Sequence, residues 1–227
     1  MAFELPADLV VPIKRLDRAK SRLRGTVDGV HAELVLSLLV DTVTAAADAE
    51  GVRRVLVVCE DARVPEALRG TDVECVDERG LPGLNAALSF GAGLLRERSG
   101  HGSGRGVVGA LQADLPALRS KELAEALAAA EGRRAFCADR SGTGTTLLLS
   151  AAGGPLEPRF GVGSAAAHAA SGAMPVGAGS DSLRCDVDTA DDLLAAADLG
   201  LGPRTASLAG QTGKFTRWPR QGSPIRP

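Results

Sequence analysis

Three acids in two short stretches have the type and spacing to hold a divalent cation. In "LQADLP" (111–116), Asp114 ends an apolar run and leads into a turn. In "CDVDTADDL" (185–193), Asp186 and Asp188 stand two apart at the end of another strand-like run. An extended backbone sends alternate side chains to opposite faces, so this pair shares one side, away from Val187. Two carboxylates so placed repel unless a cation lies between them. Mg²⁺ takes one or two carboxylates and fills its shell with water and phosphate oxygens, which makes Asp114, Asp186 and Asp188 candidate metal ligands. Asp114 also reads as a plain turn residue ahead of Pro116. The next acids read differently. Thr189 before "ADDL" is a helix N-cap, with Asp191 and Asp192 in the first turn, where the helix dipole favours negative charge.

A cationic stretch supplies the opposite charge. "VVPIKRLDRAKSRL" (10–23) carries Lys14, Arg15, Arg18, Lys20 and Arg22 around a single acid, Asp17, in a chain of net charge −2. It lies between a strand-like run and the next helix, in a connection of about 16 residues where roughly 2–6 is usual. Several donors on a long loop suit a polyphosphate, whose charge is spread over many oxygens. Lys14, Lys20 and Arg22 are candidate catalytic and nucleotide-binding residues, and Asp114 is a catalytic candidate through the metal it would hold. A solvated basic loop is the competing reading. No GxxxxGK[ST] or GxGxxG cradle follows the first strand.

Small residues complete the picture. In "RFGVGSAAAHAASGA" (159–173), Gly161, Gly163 and Ser164 precede a helical run, where free N–H groups and glycine suit an anion and Arg159 adds charge. Ser164 reads equally as a cap. "SGTGTTLLLS" (141–150) offers Thr145 and Thr146. In "RGLPGLNAAL" (79–88), Gly80, Pro82 and Gly83 form a turn, and Asn85 reads either as a contact to a base or ribose edge or as a cap. The histidines His31, His101 and His168 stand in no Ser/His/Asp or Cys/His pattern, which disfavours nucleophilic catalysis.

The elements that must position these residues alternate. Strands are expected at 8–13, 52–59, 72–76, 106–116, 134–138, 145–150 and 183–187. Helices are expected at 31–50, 84–98, 120–131 (capped by Ser120), 164–172 and 190–198. Alternation of this kind predicts an α/β, three-layer α/β/α domain around a mostly parallel sheet, with ligands beyond the C-terminal strand ends. The domain is expected over 1–202. Residues 203–227, rich in Pro, Gly, Arg and Ser, read as a flexible tail.

Composition limits the classes. The 227 residues fit one α/β domain or two small ones. With 24% charged residues near neutrality, 3% aromatics and no Tyr, a nucleic-acid partner is not expected. No apolar run reaches membrane-span length and no signal-peptide core is present, so the expectation is a soluble, cytoplasmic protein. Cys59, Cys75, Cys137 and Cys185 are scattered in apolar runs and read as small buried hydrophobes.

Taken in order, "VPIKRLDRAKSRL", "GLNAAL", "LQADLPAL", "GTTLLL", "RFGVGSAAAH" and "CDVDTADDL" resemble the guanylyltransferases of coenzyme F420 biosynthesis, over about residues 8–198. These comprise the 2-phospho-L-lactate guanylyltransferases and bacterial relatives that use phosphoenolpyruvate. The resemblance implies a GT-A-like nucleotidyltransferase fold, GTP as donor and Mg²⁺ as the ion. It also implies metal ligands at Asp114, Asp186 and Asp188, and acceptor contacts at Thr146, Gly161 and Ser164. Gly83 and Asn85 join Lys14, Lys20 and Arg22 as nucleotide contacts. Phosphoenolpyruvate is the favoured acceptor, through the Ala/Gly/Arg-rich composition associated with the bacterial branch. 2-Phospho-L-lactate and 3-phospho-D-glycerate are alternatives, as are another nucleotidyltransferase of this fold and a non-catalytic nucleotide-binding protein. A labile diphosphate product suggests hand-off to the next enzyme.

Overall fold

A computed structural model describes residues 5–17, 23, 31–78, 80–98 and 106–212. Lys20 and Arg22 lie outside the described residues, as does the expected tail beyond 212. Seven strands form one sheet in the order β3-β2-β1-β4-β6-β5-β7. They are β1 (Ala7–Ile13), β2 (Val52–Cys59), β3 (Val73–Asp77), β4 (Val107–Leu111), β5 (Ala135–Ala138), β6 (Thr145–Leu149) and β7 (Met174–Pro175). Only β6 runs against its neighbours, pairing antiparallel with β4 and β5. The mixed, mostly parallel sheet and its flanking helices match the expected architecture.

Strand β1 is buried along its whole length, as a central parallel strand covered on both faces should be. Leu9, Val11 and Ile13 meet the core under α1 (His31–Ala47) and α4 (Ser120–Ala130). Val10 faces α3 (Leu84–Arg98) on the other side. Helix α3 comes close enough that a Cβ on Gly91 would stand 2.6 Å from Val10 Cγ1. That proximity fixes where the N-terminus of α3 reaches the sheet end. The third apolar cluster joins Leu34 and Leu38 of α1 to Cys185, Val187 and α6 (Ala190–Leu199).

The site end of the sheet is opened by a parting of strands. The β1–β2 ladder continues to Ile13↔Cys59, while the β1–β4 ladder ends at Val10↔Ala110. Pro12, which has no N–H to donate, falls where β4 no longer pairs. The strand order reverses between β1 and β4, the position where open α/β sheets bind ligands.

Three expectations change. The stretch 183–187 is a turn and an extended segment without a ladder. Its partner is the turn after β4, because the Val187 N–H donates to the Asp114 carbonyl at 3.0 Å. Residues 203–212 are helical, as α7 (Pro203–Thr212), rather than a loose tail. The buried Asp41 carboxylate on α1 accepts the N–H groups of Arg204 (3.1 Å) and Thr205 (2.7 Å), capping α7 from outside its own sequence. Ser120 does not cap α4. The N-cap is Arg119, and the Ser120 hydroxyl donates to the Ala45 carbonyl at 2.8 Å. The short α2 (Arg63–Ala67) and α5 (Ser164–Ala170) complete the elements. Among the described residues no helix is long and apolar enough to cross a membrane.

Candidate active site

A cleft of about 220 Å³ opens where β1 and β4 part. Lys14, the first residue past β1, lines one side, and Gln112, Ala113 and Asp114 line the other. Glu78, just past β3, and Leu84 and Ala87 of α3 close a third wall. Lys14 and Asp114 were both singled out by residue type, and the fold brings them to the same cleft.

Asp114 is held by its neighbours' backbone and by α1. The Thr42 hydroxyl donates to the Leu38 carbonyl of its own helix at 2.7 Å and accepts the Leu115 N–H at 2.9 Å. Thr42 is fully buried, so this contact pins the 113–115 turn to a rigid element. The Val187–Asp114 backbone bond then lays the second acidic segment against the same turn. Cys185 and Val187 are buried, whereas Asp186 is half-buried and Asp188 exposed. The alternation expected of a strand survives without one.

These oxygens are of the hard type that suits Mg²⁺, and their backbones are adjacent. Among the described residues, however, no three His, Cys, Asp or Glu side chains are gathered closely enough to hold an ion. Asp114, Asp186 and Asp188 therefore do not form a finished cage. The donor set fits an ion completed by phosphate oxygens rather than one enclosed by protein. Beside it, the Arg140 guanidinium lies 3.7 Å from Cys185 Sγ and feels Asp192 and Asp186, which raise its pKa after the larger effect of Cys185. Arg140 carried no motif and was not singled out from the sequence. Thr189 and Asp192 form the expected capping box: Thr189 N–H donates to Asp192 at 2.9 Å and Asp192 N–H to Thr189 Oγ1 at 3.3 Å. Asp192 is thus structural.

The second group of residues builds a loop beside the cleft. Asn85 clamps the Phe160 backbone, donating through Nδ2 to the carbonyl at 3.0 Å and accepting the N–H through Oδ1 at 2.9 Å. Its amide thereby positions the loop. Gly83 opens α3 with φ 86°, a conformation that favours glycine, and its outer side is open space. Gly161 (φ 140°) and Gly163 (φ 72°) flank Val162, which is fully exposed at the loop tip. Ser164 starts α5 after the N-cap Gly163 and does not cap it. The Ser164 hydroxyl donates to Thr145 Oγ1 at 3.1 Å, and its N–H donates to the Gly161 carbonyl at 3.1 Å. The Thr146 hydroxyl is fully buried and donates to the Cys137 carbonyl at 3.4 Å. A ligand at Ser164 or Thr146 has to exchange one of these internal bonds.

His168, which spacing alone left without a role, is the centre of this loop. It is fully buried. Its Nε2 accepts the Arg159 N–H at 2.9 Å, so the neutral ring carries its proton on Nδ1, 2.9 Å from Thr145 Oγ1. Phe160 packs edge-on, with centroids 5.0 Å apart. Burial first, then the charges of Arg134 and Arg159, push its pKa down to about 4. Arg134 also donates to the Leu156 (2.6 Å) and Glu157 (3.0 Å) carbonyls, bracing the chain leading to Arg159.

Comparison with known proteins decides the family. Residues 7–200 match the family described as guanylyl transferase CofC like. The chain belongs to that family. The phosphoenolpyruvate guanylyltransferase of Salinispora arenicola is 50% identical over 206 residues, covering 89% of this chain and 92% of its own. That of Streptomyces scabiei is also 50% identical, covering 88% and 94%. A crystal structure of 4-diphosphocytidyl-2C-methyl-D-erythritol synthase superposes with a TM-score of 0.60 at 15% identity, covering 86% of this chain and 99% of that one. The last likeness speaks for the fold. Within this CofC-like enzyme, the cleft between β1 and β4 is the candidate active site.

Proposed function

We propose that the chain transfers GMP from GTP to phosphoenolpyruvate, giving enolpyruvoyl-2-diphospho-5'-guanosine and pyrophosphate in coenzyme F420 synthesis. The observation that carries this reading is the meeting of Lys14 and Asp114 in the switch-point cleft, with Asp186 and Asp188 laid against the Asp114 turn. The names of the half-identical relatives support the choice of acceptor.

The chemistry needs little from the side chains beyond position and charge. An acceptor phosphate oxygen attacks the α-phosphorus of GTP in line. A new P–O bond forms as the bond to the β-phosphate oxygen breaks, and pyrophosphate departs. The nucleophile is already anionic, so no general base is required, and a neutral, buried His168 is consistent with that. Bringing two polyanions together is the barrier, and preorganised cations lower it. Lys14 meets the triphosphate at the end of β1, with Lys20 and Arg22 further along the same stretch. Asp114, with Asp186 and Asp188, would hold Mg²⁺. Bound there, the ion neutralises phosphate charge and polarises the reacting phosphoryl group. The braced 159–164 loop, with Thr146 and Ser164 beneath it, orients the acceptor's phosphate and carboxylate.

The test is pyrophosphate release with each NTP against phosphoenolpyruvate, 2-phospho-L-lactate and 3-phospho-D-glycerate in the presence of Mg²⁺. GTP with phosphoenolpyruvate should be the productive pair. Release only with another acid reassigns the acceptor, and no release with any pair defeats the proposal. Asp188→Asn should cut turnover by about 10²-fold or more with the fold intact by circular dichroism. A near-normal rate removes Asp188 from the metal site.

A further inference from the structure

Among the described residues lining the cleft, Glu78 is the acid that the reaction above leaves without work. It stands one residue beyond β3, held there by its N–H, which donates to the Cys59 carbonyl at 3.0 Å. The residue is 7% exposed and lines the cleft that Lys14 and Asp114 share. Among the described residues, charges act on its carboxyl but no hydrogen bond reaches it. Burial, then Glu60, push its pKa up, and Lys14 pulls it partly back. A buried acid without donors costs stability, and such a group persists where a ligand supplies what the protein withholds.

The surroundings specify the ligand. Leu84 and Ala87 on one side and Val35 and Leu38 on the other give apolar walls, suited to the two faces of a planar ring. At the edge of that slot, Glu78 presents two acceptor oxygens and no donor while ionised. Guanine offers a matching edge: N1–H and the 2-amino group are adjacent, parallel donors. Adenine pairs a donor with the bare N1 acceptor, cytosine pairs a donor with N3, and uracil flanks its single N–H with two carbonyl oxygens. Of the four bases, only guanine gives a carboxylate two donors without opposing a lone pair.

We propose that Glu78 reads the guanine base of the nucleotide donor through N1–H and the 2-amino group. The inference rests on the guanylyl-transfer reading of the same cleft and adds the residue that sets its base preference. Glu78 was not among the candidates from sequence. Lys14 connects the two tasks. When the triphosphate draws Lys14 toward phosphate, Glu78 loses the positive charge of Lys14, and the two base donors replace it.

The test uses donors that differ at one edge. Xanthine keeps N1–H but carries a carbonyl in place of the 2-amino group, so a glutamine, with one acceptor and one donor, matches it. For the wild type, kcat/KM from pyrophosphate release should fall in the order GTP, ITP, ATP, with XTP at least about 10²-fold below GTP. In Glu78→Gln, kcat/KM for GTP should drop about 10²-fold and that for XTP should rise, inverting the preference. Calorimetric binding of GTP and XTP without acceptor should show the same inversion. An unchanged GTP/XTP ratio, or an equal loss across GTP, ITP and ATP, overturns the assignment and gives Glu78 to the ribose or to Lys14. If Glu78→Gln does not fold, the wild-type series decides alone, since equal use of GTP and ITP is incompatible with a contact to the 2-amino group. A wild type that releases no pyrophosphate from GTP with any acid is a different failure, that of the guanylyl-transfer reading itself.

Discussion

Replacing His168 with Phe should weaken the protein most at neutral pH and least in mild acid. The ring is fully buried and makes two hydrogen bonds, each 2.9 Å long, to the Arg159 N–H and to Thr145 Oγ1. Phenylalanine fills the space but leaves the part-buried Arg159 N–H without its acceptor, at about 1–3 kcal/mol, and removes one hydrogen bond, about 0.5–1.5 kcal/mol, from Thr145 Oγ1, which keeps the bond from Ser164. A loss of about 2–4 kcal/mol at pH 7.5 follows. The wild type carries a pH term that the variant lacks. Burial first, and then the positive charges of Arg134 and Arg159, disfavour the protonated ring in the folded state, so the pKa falls from 6.5 to about 4. The unfolded chain binds that proton first. Stability from a neutral His168 is therefore complete above about pH 6.5 and is lost as pH falls toward 4. At about 1.4 kcal/mol per pKa unit the term is at most about 3 kcal/mol, and residual solvent contact reduces it. Urea unfolding of both proteins at pH 7.5 and pH 4.5 isolates it, because other carboxyls titrate in both. The gap should narrow by about 1–3 kcal/mol at the lower pH. A gap that is the same at both values refutes the neutral, doubly bonded ring. At pH 7.5 the variant should also raise the acceptor KM more than the GTP KM, since the 159–164 loop loses its brace.

Two other perturbations separate loop bracing from the rest of the fold. Asn85→Ala removes both bonds to the Phe160 backbone and should cost about 1–2 kcal/mol in urea unfolding while raising the acceptor KM; unchanged acceptor KM would detach this clamp from substrate positioning. Asp41→Ala strips the N–H groups of Arg204 and Thr205 of their acceptor and should cost about 1 kcal/mol. Hydrogen exchange should then speed up in the amides of 203–212, and undiminished protection there would mean that α7 is held by something other than the carboxylate.

What could be read from the sequence was local, and what could not was long-range. The buried β1 run, the apolar stretch into Asp114 and the Thr189–Asp192 box announce themselves within a few residues. So does the strand–helix alternation that places Lys14 and Asp114 at one sheet end. The clamp of Asn85 on the Phe160 backbone was not legible because the two are 75 residues apart. His168 sat on an alanine-rich helix with no nucleophile nearby, and its partners come from β6 and an irregular loop. The 183–187 segment has a strand's burial pattern, but it bonds to a turn rather than a ladder. Helix α7 mixes Pro, Gly, Ser and two Thr into its ten residues, and N–H groups of its first turn are satisfied by Asp41, far back in the chain. Periodicity reports which side of a segment is buried. It does not report which polar group waits on the other side.

Anomalous diffraction from crystals grown with Mn²⁺ and a non-hydrolysable GTP analogue tests the cleft most directly. A manganese peak should stand against Asp114 with Asp186 or Asp188, the triphosphate should run from it toward Lys14, and the base should reach Glu78. A nucleotide bound away from the parting of β1 and β4, or a manganese site that none of the three aspartates touches, would contradict the assignment of this cleft.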